Sequence, residues 1–147
     1  MNRDTQRSTV AGPSGAIECA IDQPTGNFAT APRGVAVVCH PHPQFGGTMD
    51  NKVVHTISRA FLQLGYRSVR FNFRGVGESA GSFDDGRGEI DDALAVIAAQ
   101  RQPGLPLALA GFSFGVVRHI SGSTKASSLV HIGYNSLPFV LTVLHKS

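Results

Sequence analysis

A serine between two glycines follows a short apolar run of the chain. The run 107–110 carries no charge, which is typical of a strand buried on both faces of a parallel sheet. Gly111, Ser113 and Gly115 come directly after it. A sharp turn from strand to helix lifts a serine hydroxyl clear of the sheet, and only glycine fits where that turn crowds the backbone. Ser113 is therefore a candidate nucleophile, and an ordinary serine in a glycine-rich turn is the alternative.

Three predicted main strands and two predicted helices position this serine. They alternate along the chain, which is typical of parallel strands joined by right-handed crossovers. The loops then gather at the carboxyl edge of the sheet, where such folds bind ligands. The first fifteen residues are predicted to be a polar lead-in, and a weak edge strand follows them. In chain order the predicted segments are strand 16–21, strand 34–39, helix 53–64, strand 68–73, helix 89–100 and strand 107–110.

The loops after the three main strands carry motifs in a characteristic order. These motifs are Cys39-His40-Pro41-His42-Pro43 with Gly46-Gly47-Thr48-Met49, then Phe71-Asn72-Phe73-Arg74-Gly75-Val76-Gly77-Glu78-Ser79, and last Gly111-Phe112-Ser113-Phe114-Gly115. Together they resemble the α/β-hydrolase superfamily, and most closely its small bacterial dienelactone-hydrolase-like members, over residues 12–115. The resemblance implies an α/β fold, namely a three-layer sandwich with a mostly parallel central sheet.

The resemblance also implies a reaction. Ser113 Oγ would attack an ester or related acyl bond of a small-molecule substrate, and two backbone N–H groups would hold the oxyanion. One donor is the N–H of Phe114. The other comes from the loop after the earlier strand, where the two prolines have no N–H, so His42 is the first candidate and Gln44 the next. No cofactor is expected.

The sequence after Gly115 departs from the family's pattern. A serine hydrolase of this fold needs an acid and then a histidine downstream of its nucleophile. Residues 114–147 contain no Asp or Glu, so no triad acid is assigned. His119, His131 and His145 lie in no recognisable motif, and the triad histidine stays unassigned.

We therefore divide the chain at residue 115. Residues 1–115 are predicted to be the N-terminal portion of a hydrolase domain, and residues 116–147 an atypical segment in which the C-terminal part of the fold is missing. A translation out of frame is one hypothesis for this segment. Without later strands the strand 107–110 would present an unpaired apolar edge, which predicts self-association. The absent acid predicts low or lost activity.

Two other functions stay open on the sequence alone. The missing acid fits a non-catalytic remnant or a binding protein that keeps half of the fold. A metal-dependent hydrolase could instead use His40 and His42, with Asp50 or His55 as a third ligand, although no second cluster has ligand spacing and no metal is expected. We interpret the side chains of His40 and His42 as groups that position the loop, and Arg74 as either a structural residue or a charge at the edge of the sheet.

Composition indicates the class of protein, its location and the partners to expect. The 147 residues are 41% hydrophobic and include two cysteines, too few for a disulfide framework, so we expect a globular cytoplasmic protein. Residues 1–15 lack the apolar core of a signal peptide, and the apolar stretch 137–144 is far shorter than the roughly 20 residues that cross a bilayer. The net charge is +3 and the basic residues after Asp92 are scattered, so neither nucleic acid nor a membrane is an expected partner.

Overall fold

A mixed β-sheet with a helix on each face organises the chain. The computed structural model describes residues 4–111, 126–134 and 137–144, the last two segments by their backbone alone. The strands are β1 Gln6–Gly12, β2 Gly15–Asp22, β3 Gly34–Cys39, β4 Tyr66–Phe71, β5 Leu107–Gly111, β6 Ala126–Tyr134 and β7 Leu137–Leu144. The helices are α1 Lys52–Gln63 and α2 Arg87–Gln100, and 3-10 turns cover Gly26–Phe28 and Pro43–Phe45.

Parallel strands occupy the centre of the sheet. The strand order is β1-β2-β4-β3-β5-β7-β6, in which β3 pairs in parallel with β4 and β5 while the other pairings are antiparallel. The three predicted parallel strands are therefore neighbours, and their carboxyl ends meet at one edge. Cys39 is paired in register with Gly111. The chain thus leaves the sheet at adjacent points after β3 and after β5.

The two helices cover opposite faces of the sheet. Side chains alternate between the faces along β3, and all six of its residues are buried. One set packs in a core with α2 and the other in a core with α1. The first core joins Val35, Val37 and Cys39 to Ala93, Val96 and Ile97, and the second joins Ala36 and Val38 to Val54, Ile57 and Phe61. This arrangement confirms the three-layer α/β sandwich.

Local signals set the ends of the helices. α1 ends at Gln63, and Gly65 follows it with φ +86°, a left-handed conformation that glycine adopts without strain. α2 begins at Arg87, two residues before the predicted start. The reason is a cap by the side chain of Glu89, whose carboxylate accepts the N–H of Gly86 and the N–H of Asp84, each at 2.9 Å.

The prediction of a polar lead-in over the first fifteen residues is wrong. Gln6–Gly12 forms strand β1, which pairs antiparallel with β2 from Gln6 opposite Ile21 to Gly12 opposite Gly15. Only Val10 of this strand is buried, so its sequence carries almost no apolar pattern. The strand forms because β2 supplies its backbone partners, and β1 rather than β2 is the edge strand.

The predicted free edge at the strand before Ser113 is also wrong. β7 pairs antiparallel with β5 from Leu107 opposite Leu144 to Gly111 opposite Val140. The apolar segment 137–144 therefore supplies the N–H and C=O partners that we expected to be missing. Within the described sheet the outer strands are β1 and β6. Self-association stays a prediction, but the edge on which it was based is paired.

Length and polarity of the helices bear on the membrane prediction. Across residues 4–111 and the two described C-terminal segments, no helix is both long and apolar enough to cross a bilayer.

Candidate active site

The carboxyl edge of β3 and β5 is where the predicted site residues converge. Its described part ends at Gly111, the first glycine of the serine pattern. Ser113, Phe114 and Gly115 lie outside the described residues, as do His119 and His145. His131 lies on β6, opposite Val140 of β7.

Gly111 has the crowded surroundings that the motif predicts. The residue is buried, and a Cβ added to it would lie 2.7 Å from Cys39 Cβ and 3.0 Å from Cys39 O. Real Cβ atoms essentially never approach another atom as closely as the 2.7 Å to Cys39 Cβ, so a larger residue would force β3 and β5 apart. The requirement for glycine at this position comes from the close approach of the two strands.

The loop after β3 forms a compact turn. The N–H groups of Phe45 and Gly47 both donate to His42 O, at 3.0 and 3.2 Å. Gly46 has φ +76°, which a residue with a side chain rarely adopts. A Cβ on Gly47 would overlap Pro41 O. The two glycines of the motif are therefore required by the turn itself.

The backbone N–H groups of this loop differ in whether they have a hydrogen-bond acceptor. The N–H of Gln44 donates to the Nδ1 atom of His42 at 3.3 Å. The N–H of His42 has no acceptor among the residues that the structure describes. Of the two candidate donors in this loop, Gln44 and His42, the N–H of His42 is the one that has no acceptor within residues 4–111. The imidazole of His42 is exposed and contacts two aromatic rings, with centroid distances of 5.0 Å to Phe45 and 4.9 Å to Phe83.

His40 lies directly beneath this loop and is fully buried. Its Nε2 accepts the N–H of Phe73 at 3.1 Å, and its Nδ1 lies 2.6 Å from Pro41 O. Its ring packs edge-on against Phe73 at 4.8 Å between centroids. Burial lowers the pKa of His40 to about 4. The side chain is therefore neutral, and because Nε2 is an acceptor the proton is on Nδ1.

These bonds bear on the metal-dependent alternative. Both ring nitrogens of His40 are committed to backbone groups, so neither lone pair is free for a metal ion. Asp50 and His55 belong instead to an ionic cluster around Arg70. In the described parts of the chain, no group of three or more His, Cys, Asp or Glu residues is arranged to hold a metal ion. The geometry does not favour a metal site at His40 and His42.

The loop after β4 is anchored by buried polar side chains. Asp92 accepts the backbone N–H, the Nε and the Nη2 of Arg74, at 3.0, 3.0 and 2.8 Å. These bonds raise the pKa of Arg74. Ser79 Oγ donates to Asn72 O at 2.7 Å and accepts the N–H of Glu18 at 2.9 Å. Arg74 is therefore structural, the first of its two predicted roles, and this motif shapes the edge of the site rather than supplying reactive groups.

The burial of Asp92 was missed in the sequence. The sequence places Asp92 in the first turn of the predicted helix 89–100, where an acid is favourable to the helix dipole, but its carboxylate is 1% exposed. A signal was present, because Asp92 lies beside Ala93 and four residues before Val96, on the apolar face of α2. A charged residue on that face requires a buried partner, and Arg74 is that partner.

A second buried ionic cluster was also missed. Arg70 of β4 is 1% exposed and pairs with Asp22 at 3.2 Å and Asp50 at 3.3 Å. Its Nη1 also donates to Met49 O at 3.2 Å and lies 3.1 Å from His55 Nε2. This cluster joins β2, β4 and the segment before α1. It forms part of the wall of a cavity of about 510 Å³ beside α1.

Comparison with known proteins gives independent information about the family of this chain. No family model matches the chain. A curated relative, the uncharacterized protein RP471 of Rickettsia prowazekii (strain Madrid E), is 44% identical over 110 residues, which cover 71% of this chain and 43% of the relative.

Solved structures are similar over most of the chain. The structure of XC6422 from Xanthomonas campestris, described as an α/β serine hydrolase without a lid, is 44% identical with a TM-score of 0.73, covering 84% of this chain and 58% of that one. A structure of an α/β serine hydrolase homologue from Coxiella burnetii is 40% identical with a TM-score of 0.73, covering 82% and 58%. The chain thus spans less than two thirds of each of these relatives.

Proposed function

Because these similarities make the chain a member of the α/β-hydrolase superfamily, we propose that it carries the nucleophile of a serine hydrolase that cleaves an ester or related acyl bond of a small molecule. One observation carries this proposal. A free backbone N–H, that of His42, lies in the loop that leaves the sheet next to Gly111, where the serine motif begins. A donor beside a nucleophile turn is the minimal apparatus for acyl transfer.

Ser113 is the nucleophile in this proposal. Its Oγ gives its proton to solvent and bonds to the acyl carbon, while the N–H groups of His42 and Phe114 stabilise the negative charge that develops on the carbonyl oxygen. The bond from the acyl carbon to the ester oxygen then breaks, the alcohol leaves with a proton from solvent, and water hydrolyses the acyl-serine to free acid and serine. The use of Gln44 N–H by the imidazole of His42 supports His42 as the second donor. Each such donor contributes about 3 kcal/mol to the transition state.

The rate is expected to be low in this chain. Residues 114–147 contain no Asp or Glu, so none of them supplies the carboxylate that usually orients the histidine base. In a well-studied serine protease the loss of that orientation lowers kcat about 10⁴-fold, whereas the oxyanion hole and binding alone retain about 10³- to 10⁴-fold catalysis over water. Slow turnover with a detectable acylation step is the expected behaviour.

Ester hydrolysis by two serine variants tests this proposal. With a short-chain aryl ester as substrate, Ser113→Ala is expected to abolish the release of the phenol, because it removes the attacking oxygen. Ser82→Ala is the matched control, since Ser82 is an exposed serine of the loop after β4, and its rate should equal that of the original chain. Equal rates for the Ser113→Ala variant and the original chain would contradict the role of Ser113.

The second candidate function is a non-catalytic protein that keeps the hydrolase half-fold for binding. The observation that favours it is that residues 114–147 contain no Asp or Glu, so these residues by themselves supply no triad acid. Under this alternative the folded chain binds acyl compounds without turning them over. A protein that retains its melting transition and shows no ester hydrolysis above background would support it.

A cytoplasmic location is part of the proposal. Cys19 and Cys39 are both buried free thiols, and burial raises the pKa of each to about 12. The thiols are therefore protonated and unreactive, as befits structural residues of the core. No nucleic-acid or membrane partner is proposed.

A further inference from the structure

The free N–H of His42 belongs to the same peptide group as the carbonyl of Pro41. A peptide group is planar, and across a trans bond its N–H and C=O point in opposite directions. The described chain has no cis peptide bonds. Whatever fixes the direction of Pro41 O therefore also fixes the direction of the His42 N–H.

The ring of His40 fixes that carbonyl. Its Nδ1–H donates to Pro41 O over 2.6 Å. The ring is held in place, because its Nε2 accepts the N–H of Phe73 and the two rings pack in a T-shaped arrangement with their centroids 4.8 Å apart. The chain of contacts runs from the loop after β4, through the imidazole, to the peptide between Pro41 and His42.

Gly47 also packs closely against the same carbonyl. A Cβ at this position would overlap both Pro41 O and Pro41 C, so the backbone of Gly47 packs directly against the peptide. The N–H of Gly47 donates to His42 O at 3.2 Å and so holds the following peptide as well. The peptide is thus restrained both by the hydrogen bond from His40 and by close packing against Gly47.

We propose that His40 is the positioning residue of the oxyanion hole, since its neutral imidazole orients the Pro41–His42 peptide and thereby aims the His42 N–H at the developing negative charge. His40 is buried and touches no substrate in this account. The inference rests on the proposed function, because it assigns a task to His40 only if the His42 N–H is an oxyanion donor. It gives a positioning role to His40, a side chain that lies outside the nucleophile motif.

Two substitutions separate the two hydrogen bonds of the ring. The amide of asparagine reaches about as far as Nδ1, so His40→Asn keeps a donor for Pro41 O and loses the acceptor for Phe73. The amide of glutamine reaches about as far as Nε2, so His40→Gln keeps the acceptor and loses the donor.

Removing one oxyanion donor lowers kcat about 10²- to 10³-fold, so we expect His40→Gln to lower the kcat for the aryl ester at least about 10-fold with little change in KM. His40→Asn should retain most of the rate.

A purely structural role predicts another pattern. In that case both variants lose kcat in parallel with their melting temperatures, and this result would overturn the inference. His55→Gln is the matched control, since His55 belongs to the Arg70 cluster and its rate should not change. If the original chain shows no hydrolysis at all, the proposed function fails and the inference fails with it. If the original chain is active and His40→Gln is as fast, the inference alone fails.

Nuclear magnetic resonance gives a readout that does not depend on turnover. In the original chain the ring nitrogens of His40 should report a neutral imidazole protonated at Nδ1 at neutral pH. After reaction with an alkyl fluorophosphonate, the amide resonance of His42 should shift, and it should shift much less in the His40→Gln variant. A ring protonated at Nε2, or an unshifted His42 amide in the phosphonylated original chain, would overturn the inference.

Discussion

The imidazole of His40 is neutral because of where it lies. No part of the ring is exposed. Its Nε2 accepts a hydrogen bond from the N–H of Phe73, and a proton on Nε2 would place two hydrogen-bond donors against each other. Burial lowers the pKa of His40 from 6.5 to about 4. A histidine in the unfolded chain keeps its ordinary pKa and takes up a proton first as the pH falls.

This difference predicts how stability changes with pH. Between pH 6.5 and pH 4 the unfolded chain binds one more proton at residue 40 than the folded chain, so the free energy of unfolding falls with falling pH. The slope from a single group approaches about 1.4 kcal/mol per pH unit in that window. The contribution is fully present above pH 6.5. Urea unfolding at pH 7 and pH 5 measures it.

The His40→Gln variant is the control for this prediction. Glutamine does not titrate, so the variant should lose less stability than the original chain between the two pH values. Other groups contribute equally to both proteins and cancel in the comparison. Parallel losses in the two proteins would show that residue 40 does not carry the effect.

Individual site residues were predictable to different degrees. The crowding at Gly111 and the loop role of His40 follow from types and spacing, because glycine and proline constrain the backbone in known ways. The burial of Arg70 and Asp92 was not predictable from either residue alone. Each is buried only because a partner distant in the sequence is buried with it, and pairs such as Arg70 with Asp22 appear only once the sheet is assembled.

Helix α2 connects the core to the edge of the candidate site. Its apolar face packs on β3, and from the same face Asp92 reaches the backbone and guanidinium of Arg74 in the loop after β4. The carboxylate is 1% exposed and the Arg74 side chain 11% exposed. This helix therefore holds the loop as well as covering the sheet.

Neighbouring acids on α2 give a matched test of that connection. Asp92→Asn leaves the Arg74 guanidinium without its counter-charge, and removing one partner of a buried pair destabilises proteins by about 3 to 5 kcal/mol. Asp91→Asn changes an exposed acid on the next residue and should alter stability by less than about 0.5 kcal/mol. Thermal or urea unfolding of the two variants measures the difference. Equal stability of both would contradict the anchoring role of Asp92.

At the level of elements, periodicity predicted the parts of the fold that local sequence encodes. β3 and β5 are continuous apolar runs, and α1 ends at a glycine signal, so their types and approximate positions were predictable. β1 was missed because only one of its side chains is buried. The pairing of β7 with β5 was missed because it depends on a contact between distant segments that neither strand's own pattern contains.

At the level of the whole molecule, the parallel centre of the sheet assembles the candidate site at one edge. The register that places Cys39 opposite Gly111 brings the free N–H of the His42 loop next to the start of the serine turn. The sheet, the helices on its two faces and the loop after β4 together hold the residues at this edge in position. The chain spans 58% of the length of each of two solved relatives, from Xanthomonas campestris and Coxiella burnetii, so the activity of a whole hydrolase stays a proposal for it.

The central claim is that Ser113 is an activated nucleophile held beside an oxyanion hole. Reaction of the folded chain with an alkyl fluorophosphonate, followed by peptide mass spectrometry, tests it most directly. The account predicts a single adduct on Ser113, absent in Ser113→Ala and unchanged in Ser82→Ala. No adduct on the folded chain, or an adduct on another residue only, would contradict it.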